Sequence, residues 1–185
     1  MRNGVRLLTA ADVAVLPAQL PSGPVRYELH DGRLVVLPPS TAARGRAQAL
    51  FIGHLFAHAE RSGRMYGRVD VILRRDPDHV LAPDLAHLTA AQLPPKTSPE
   101  DYLTTAPALV VEVRERYDAQ AGIDAKVRDY LAAGVVLVWV ADPDARTVTA
   151  YRANQPPLTF TAADTLTADP VIPGFAVPVA ALLPA

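Results

Sequence analysis

Three side chains in this sequence have the chemistry to hydrolyse a phosphodiester: Asp84 in Ala82-Pro83-Asp84-Leu85, Glu112 in Val110-Val111-Glu112-Val113, and Lys126. Glu112 interrupts the apolar run 108–113, which otherwise reads as a buried strand. A carboxylate in that setting suffers desolvation unless a cation pairs with it, either a metal ion or a lysine. Asp84 follows a second apolar stretch, Val80-Leu81-Ala82-Pro83, and so stands at a strand end. Lys126 is conspicuous by usage, since 16 of the 18 basic residues are arginine and only Lys96 and Lys126 are lysine. Two acids that hold a divalent ion, with an ammonium to orient water and stabilise developing negative charge, are the parts of a phosphodiester hydrolase.

These residues need a scaffold, and the sequence outlines one. Thr9 caps a helix over 10–15 that Pro17 stops. Strands over 27–30 and 33–37 are joined by Asp31-Gly32, a strong hairpin signal. Pro38-Pro39 breaks the hairpin, and Ser40 or Thr41 caps the longest helix, which runs to about 61. Leu50, Phe51, Ile52, Leu55, Phe56 and Ala59 give that helix a broad apolar face, and Gly63 is its expected C-terminal cap. Strands over 64–73 and 79–88 flank the turn Asp76-Pro77-Asp78, and a loop over 92–99 carries three prolines.

The strand 108–113 is central, followed by a loop and a helix that reaches 132 and ends at Gly134. An unbroken apolar strand over 135–140 suits a sheet interior, and another strand ends at 152. The proline-bearing tail reads as short strands and turns on the domain edge. The expectation is a single α/β domain over 1–185 with a mixed central sheet flanked by helices. The acids lie at strand ends on one sheet edge, and the strand–helix unit folds back to bring Lys126 beside Glu112.

Several segments together resemble the PD-(D/E)XK nuclease superfamily, and within it the Uma-type restriction-endonuclease family of bacteria. The stretch from Tyr27-Glu28-Leu29-His30-Asp31-Gly32 to Pro38-Pro39 is similar to that family's glutamate-bearing hairpin. Ala82-Pro83-Asp84-Leu85 resembles its PD motif, and Leu109-Val110-Val111-Glu112-Val113 its glutamate strand. Lys126-Val127-Arg128-Asp129-Tyr130, Gly134-Val135, Trp139, Asp142-Pro143 and Ile172-Pro173-Gly174-Phe175 follow in the family's order.

The resemblance implies a restriction-endonuclease-like fold with extra N- and C-terminal strands. It implies Asp84 and Glu112 as ligands of Mg²⁺ or Mn²⁺, Lys126 as the water-orienting or charge-stabilising residue, and Glu28 as an accessory acid. In that family the motif lysine has moved to the helix after the glutamate strand, and here the second residue after Glu112 is Arg114. Three positions depart from the pattern: Glu115-Arg116 replaces a Ser-Pro step, Gly122 stands where an acid is common, and Val136-Leu137 replaces a Pro-Glu pair. The loop that shapes the substrate pocket is thereby rewritten.

Each residue also has an ordinary reading. Glu112 fits a solvent-facing edge strand, Asp84 a Pro-Asp turn, Glu28 a wet strand face, and Lys126 a surface helix paired with Asp124 or Asp129. Tyr117 and Tyr130 are candidates to line the cleft, with helix packing the favoured role for Tyr130. His54 and His58 share a helix face, but no glutamate follows His54 as in zinc proteases, so a role other than metal ligation is expected.

With no cysteine, thiolate metal sites and disulfides are excluded, and oxygen ligands favour magnesium, manganese or calcium. The N-terminus lacks the apolar stretch of a signal peptide and no run approaches a membrane span, so a cytoplasmic location is expected. DNA is the expected partner, and a homodimer is left open. The net charge of −1 requires segregated basic surface for DNA binding, and Arg44, Arg46, Arg61, Arg64, Arg68 and Arg74-Arg75 are candidates. The rival expectation is a nuclease fold that serves as a binding or regulatory module.

Overall fold

Thr9 and Asp12 form a reciprocal capping box that starts the first helix, α1 (Ala10–Ala14). The computed structural model describes residues 6–93, 98 and 101–184. A two-residue hairpin, β1 (Gln19–Leu20) and β2 (Gly23–Pro24), leads to the larger one, β3 (Arg26–His30) and β4 (Arg33–Leu37). Asp31 and Gly32 hold φ of 55° and 74°, the left-handed pair that a tight hairpin turn requires. Thr41 caps α2 (Ala42–Ser62) by accepting the Arg44 N–H, and Glu115 in turn accepts from the Thr41 hydroxyl and N–H.

Helix α2 passes without a loop into β5 (Gly63–Gly67). Gly63 is therefore not the expected left-handed cap: its φ of 166° is extended backbone. Glycine is needed there for closeness, because a Cβ would run into the Leu88 carbonyl of the neighbouring strand. Two further expectations change in the same region. The strand expected over 64–73 is two strands, β5 and β6 (Val71–Arg74), and that over 79–88 is also two, β7 (His79–Leu81) and β8 (Leu85–Thr89). Both runs break at the same place in space, where the Arg68 N–H donates to the Asp84 carbonyl. The halves then join different sheets.

The remaining strands and α-helices are β9 (Leu109–Val113), α3 (Gln120–Ala132), β10 (Leu137–Asp142), β11 (Thr147–Tyr151), β12 (Leu158–Phe160), β13 (Thr165–Thr167), β14 (Ala176–Pro178) and α4 (Val179–Leu182). One sheet has the order β4-β3-β7-β6, and the larger runs β12-β11-β10-β9-β8-β5. Within the larger sheet β9 and β10 are parallel and the other neighbours antiparallel, so the sheet is mixed as expected. The loop expected over 92–99, with Lys96, lies mostly outside the described residues.

Alternation along β9 splits its side chains between two cores. Val111 and Val113 face α2, where Phe51, Leu55, Trp139 and Phe175 are packed. Val110 faces α3, against Ile123, Val127 and Tyr130. The α2 face is narrower than its sequence suggests, since Ile52 and Phe56 are exposed and the polar Gln48 is buried beside Ala47. The tail also departs from expectation. Leu166, Ile172, Phe175, Val179 and Leu182 are fully buried in the α2-side core, so the tail seals that core rather than decorating an edge.

Candidate active site

The break between β7 and β8 carries Pro83-Asp84, and this is where the two sheets meet. Glu28 comes from β3 in the smaller sheet, Glu112 from β9 in the larger, and Asp84 from the crossing between them. All three are buried. Asp84 and Glu112 stand at strand ends as expected, whereas Glu28 is at the middle of β3, and the three meet across a junction of two sheets rather than along one sheet edge.

Backbone donors fix two of these carboxylates. The Asp84 N–H donates to the Val111 carbonyl at 3.1 Å, and its Oδ2 accepts the Val113 N–H at 2.6 Å. Glu28 Oε1 accepts the Ala82 N–H at 3.1 Å, tying β3 to the same crossing. Glu112 points toward α3, as alternation with Val111 and Val113 requires. Its Oε1 accepts a 2.6 Å hydrogen bond from the Tyr130 hydroxyl.

The cations come from helices, each with a neutral hydrogen-bond donor at i+4 on the same face. On α3, Lys126 and Tyr130 share a face. Lys126 Nζ lies 2.7 Å from Glu28 Oε1 and 3.7 Å from Glu112 Oε1. Its partners are thus the two buried acids and not Asp124 or Asp129, of which Asp124 accepts from Gln120 and Asp129 lies beside His79. On α2, Arg44 and Gln48 both reach Asp84. Arg44 donates through Nε to Oδ1 and through Nη2 to Oδ2, each at 2.9 Å, and the Gln48 amide donates to Oδ1. The same Nη2 lies 4.0 Å from Glu112 Oε2, so the guanidinium bridges the two acids.

These contacts set the charge balance. Burial pushes Glu28 up, but the His30 hydrogen bond, the Lys126 charge and the Ala82 N–H outweigh it and hold the carboxyl at about 2. Glu112 moves the other way: burial raises it above the ordinary carboxylate range, Lys126 opposes, and the Asp84 and Glu28 charges add to the rise. Burial lowers Lys126, yet Glu112 and Glu28 outweigh that and leave it raised. Glu112 is therefore the least compensated charge in the cluster. Glu112→Gln, which keeps an acceptor for Tyr130 while removing a buried charge, should leave the metal-free melting temperature unchanged or higher. A fall in that temperature would assign Glu112 a structural role.

Sequence reasoning missed part of this set. Arg44 appears there only as one of several surface arginines, and Gln48 not at all. The legible signal was a polar Gln48 within the otherwise apolar face of α2, four residues after an arginine. Tyr130 was expected to pack, and it does, but its hydroxyl also holds Glu112. Arg114 turns away, toward Gln120 and Asp142, leaving Lys126 and Arg44 as the cations beside Glu112. Glu115, in a departing position, caps the start of α2, so that loop is tied down next to Arg44. Tyr117 is exposed and, with Arg114 and Arg116, lines a hollow beside Thr41. His58 packs edge-on against Phe175.

Among the described residues, no group of three or more His, Asp or Glu side chains is gathered as a closed metal cage. The site does not need one, because Mg²⁺ and Mn²⁺ commonly take one or two carboxylates and keep several waters. Asp84 and Glu112 supply hard oxygen donors, and a cation, the Arg44 guanidinium, already lies between them. The donor set fits a divalent ion.

Comparison with known proteins decides the family. Residues 16–180 match the Uma2 family, described as "putative restriction endonuclease". The chain belongs to the Uma2 family. A solved structure titled a "putative nuclease belonging to DUF820", from Anabaena variabilis, has the same fold, with a TM-score of 0.75 and 17% identity over 95% of this chain and 97% of that one. No functionally curated protein matches this Uma2 chain. The architecture is restriction-endonuclease-like, and family and fold together support a nuclease-like function. No helix among the described residues is long and apolar enough to cross a membrane.

Proposed function

We propose that this chain is a metal-dependent nuclease that hydrolyses phosphodiester bonds in DNA, with Asp84 and Glu112 holding Mg²⁺ or Mn²⁺. The observation that carries the reading is convergence: two acids and a lysine from a sheet crossing, a strand and a helix sit in one cluster, with Arg44 and Lys126 each within 4.0 Å of Glu112. A divalent ion bound there would supply Lewis-acid activation of the scissile phosphate and of a water.

The chain's own residues do the rest. Tyr130 fixes the orientation of Glu112, and the Val113 N–H fixes that of Asp84. Lys126 presents a compact positive charge where negative charge develops and orients the attacking water. Glu28, the accessory acid, holds Lys126 in place. Arg46, Arg114 and Arg116 line hollows near the start of α2 and supply positive charge for a phosphate backbone.

The test is cleavage of supercoiled, linear duplex and single-stranded DNA with Mg²⁺ and with Mn²⁺, beside Glu112→Ala. Cleavage that needs the metal and disappears in the variant is expected. Intact DNA in every form, from protein that is folded and metal-loaded, would leave the binding-module reading in its place.

A further inference from the structure

Arg44 occupies the position that the proposed ion must take. Its fork covers both oxygens of Asp84 at 2.9 Å, and its Nη2 lies 4.0 Å from Glu112 Oε2. Asp84 has little capacity left, since Oδ1 also accepts from Gln48 and Oδ2 from the Val113 N–H. An ion bridging Asp84 and Glu112 would need lone pairs and volume now held by the guanidinium. Two positive charges cannot share that space without strong repulsion.

Arg44 is also placed to leave. It lies in the first turn of α2, whose N-terminal dipole disfavours a cation, so the pair with Asp84 is what retains it. Its side chain is 15% exposed, whereas that of Asp84 is fully enclosed, which puts the guanidinium on the solvent side of the acid. A released arginine at the mouth of the site would present a planar fork suited to a phosphate.

Resting on the metal-dependent reading above, we propose that Arg44 is a resident counter-cation that competes with the divalent ion for Asp84 and Glu112. It stabilises the metal-free acids and must swing outward for the ion to enter. Metal binding without DNA is then weak by design, and a substrate phosphate that draws Arg44 away favours loading.

The experiment titrates Mn²⁺ alone into wild type, Arg44→Met, Arg44→Lys and Asp84→Asn, reading bound ion by electron paramagnetic resonance and folding by thermal melting. Arg44→Met should bind Mn²⁺ ~10-fold more tightly or better, the effect of one charge-assisted hydrogen bond on an equilibrium constant. Arg44→Lys, which keeps the charge but loses the fork, should tighten binding by less. Arg44→Met should also melt lower than wild type without metal and recover with Mn²⁺. If Arg44→Met does not fold, Arg44→Lys decides the matter alone. Unchanged or weaker Mn²⁺ binding in the arginine variants, with binding lost in Asp84→Asn, would overturn the competition while leaving the metal site standing. Wild-type Mn²⁺ affinity in Asp84→Asn would instead remove the metal site itself, and the competition with it.

Discussion

Asp84→Asn is expected to reduce metal-dependent DNA cleavage by ~10³-fold or more, at or beyond the ~10²–10³ cost of losing a single electrostatic donor. It should also destabilise the metal-free protein, which separates it from Glu112→Gln. The physical difference lies in the partners. Asp84 carries both bonds of the Arg44 fork and the Val113 N–H, so its neutralisation strands a largely buried guanidinium. The loss of such a pair costs roughly 2 kcal/mol or more. Glu112 is raised by burial and by its acidic neighbours, so its neutralisation relieves repulsion. Two residues proposed for one role should thus differ in apo stability, with a loss only for Asp84→Asn, and have the same effect on catalysis. Thermal melting without metal, run beside single-turnover cleavage, checks both halves. Equal losses of stability in the two variants would mean that their shared effect on cleavage is a folding defect.

Lys126→Ala is expected to lower single-turnover cleavage by ~10²-fold or more while DNA affinity changes little, because the ammonium acts where charge develops. Lys126→Arg should rescue poorly. Lys126 Nζ fits between Glu28 Oε1 at 2.7 Å and Glu112 Oε1 at 3.7 Å, and a planar fork cannot replace a point charge in that gap. The composition sharpens this test, since a chain with 16 arginines keeps a lysine here. Full activity in Lys126→Arg, or lost DNA affinity at an unchanged rate, would make Lys126 a phosphate anchor.

Local chemistry made much of this fold legible. Asp31-Gly32 announced its hairpin, Thr41 its helix, and the apolar run around Glu112 a buried strand, because each signal is complete within a few residues. The features that eluded reading depend on distant pairing. Residues 79–88 are mostly apolar, and although Pro83-Asp84 offers a turn within them, it does not show that their halves join different sheets. That break exists because Arg68 bonds the Asp84 carbonyl and Asp84 bonds β9, both across the chain. The tail's proline content suggested an edge, while its widely spaced Leu166, Ile172, Phe175 and Leu182 fill a core built by α2 and the larger sheet. At the site, the four residues expected from motif order do come together. Arg44, Gln48 and Tyr130 were harder to see, since their meaning arises only when two helices bring i,i+4 pairs onto the same acids.

The central claim is that Asp84 and Glu112 share one divalent ion, and anomalous X-ray scattering from crystals soaked in Mn²⁺ tests it most directly. The account predicts a single strong peak ~2.0–2.6 Å from oxygens of both carboxylates, the usual range for oxygen ligands of such ions, with the Arg44 guanidinium moved off Asp84. A peak elsewhere, or none at saturating Mn²⁺ with Arg44 still seated on Asp84, would contradict it.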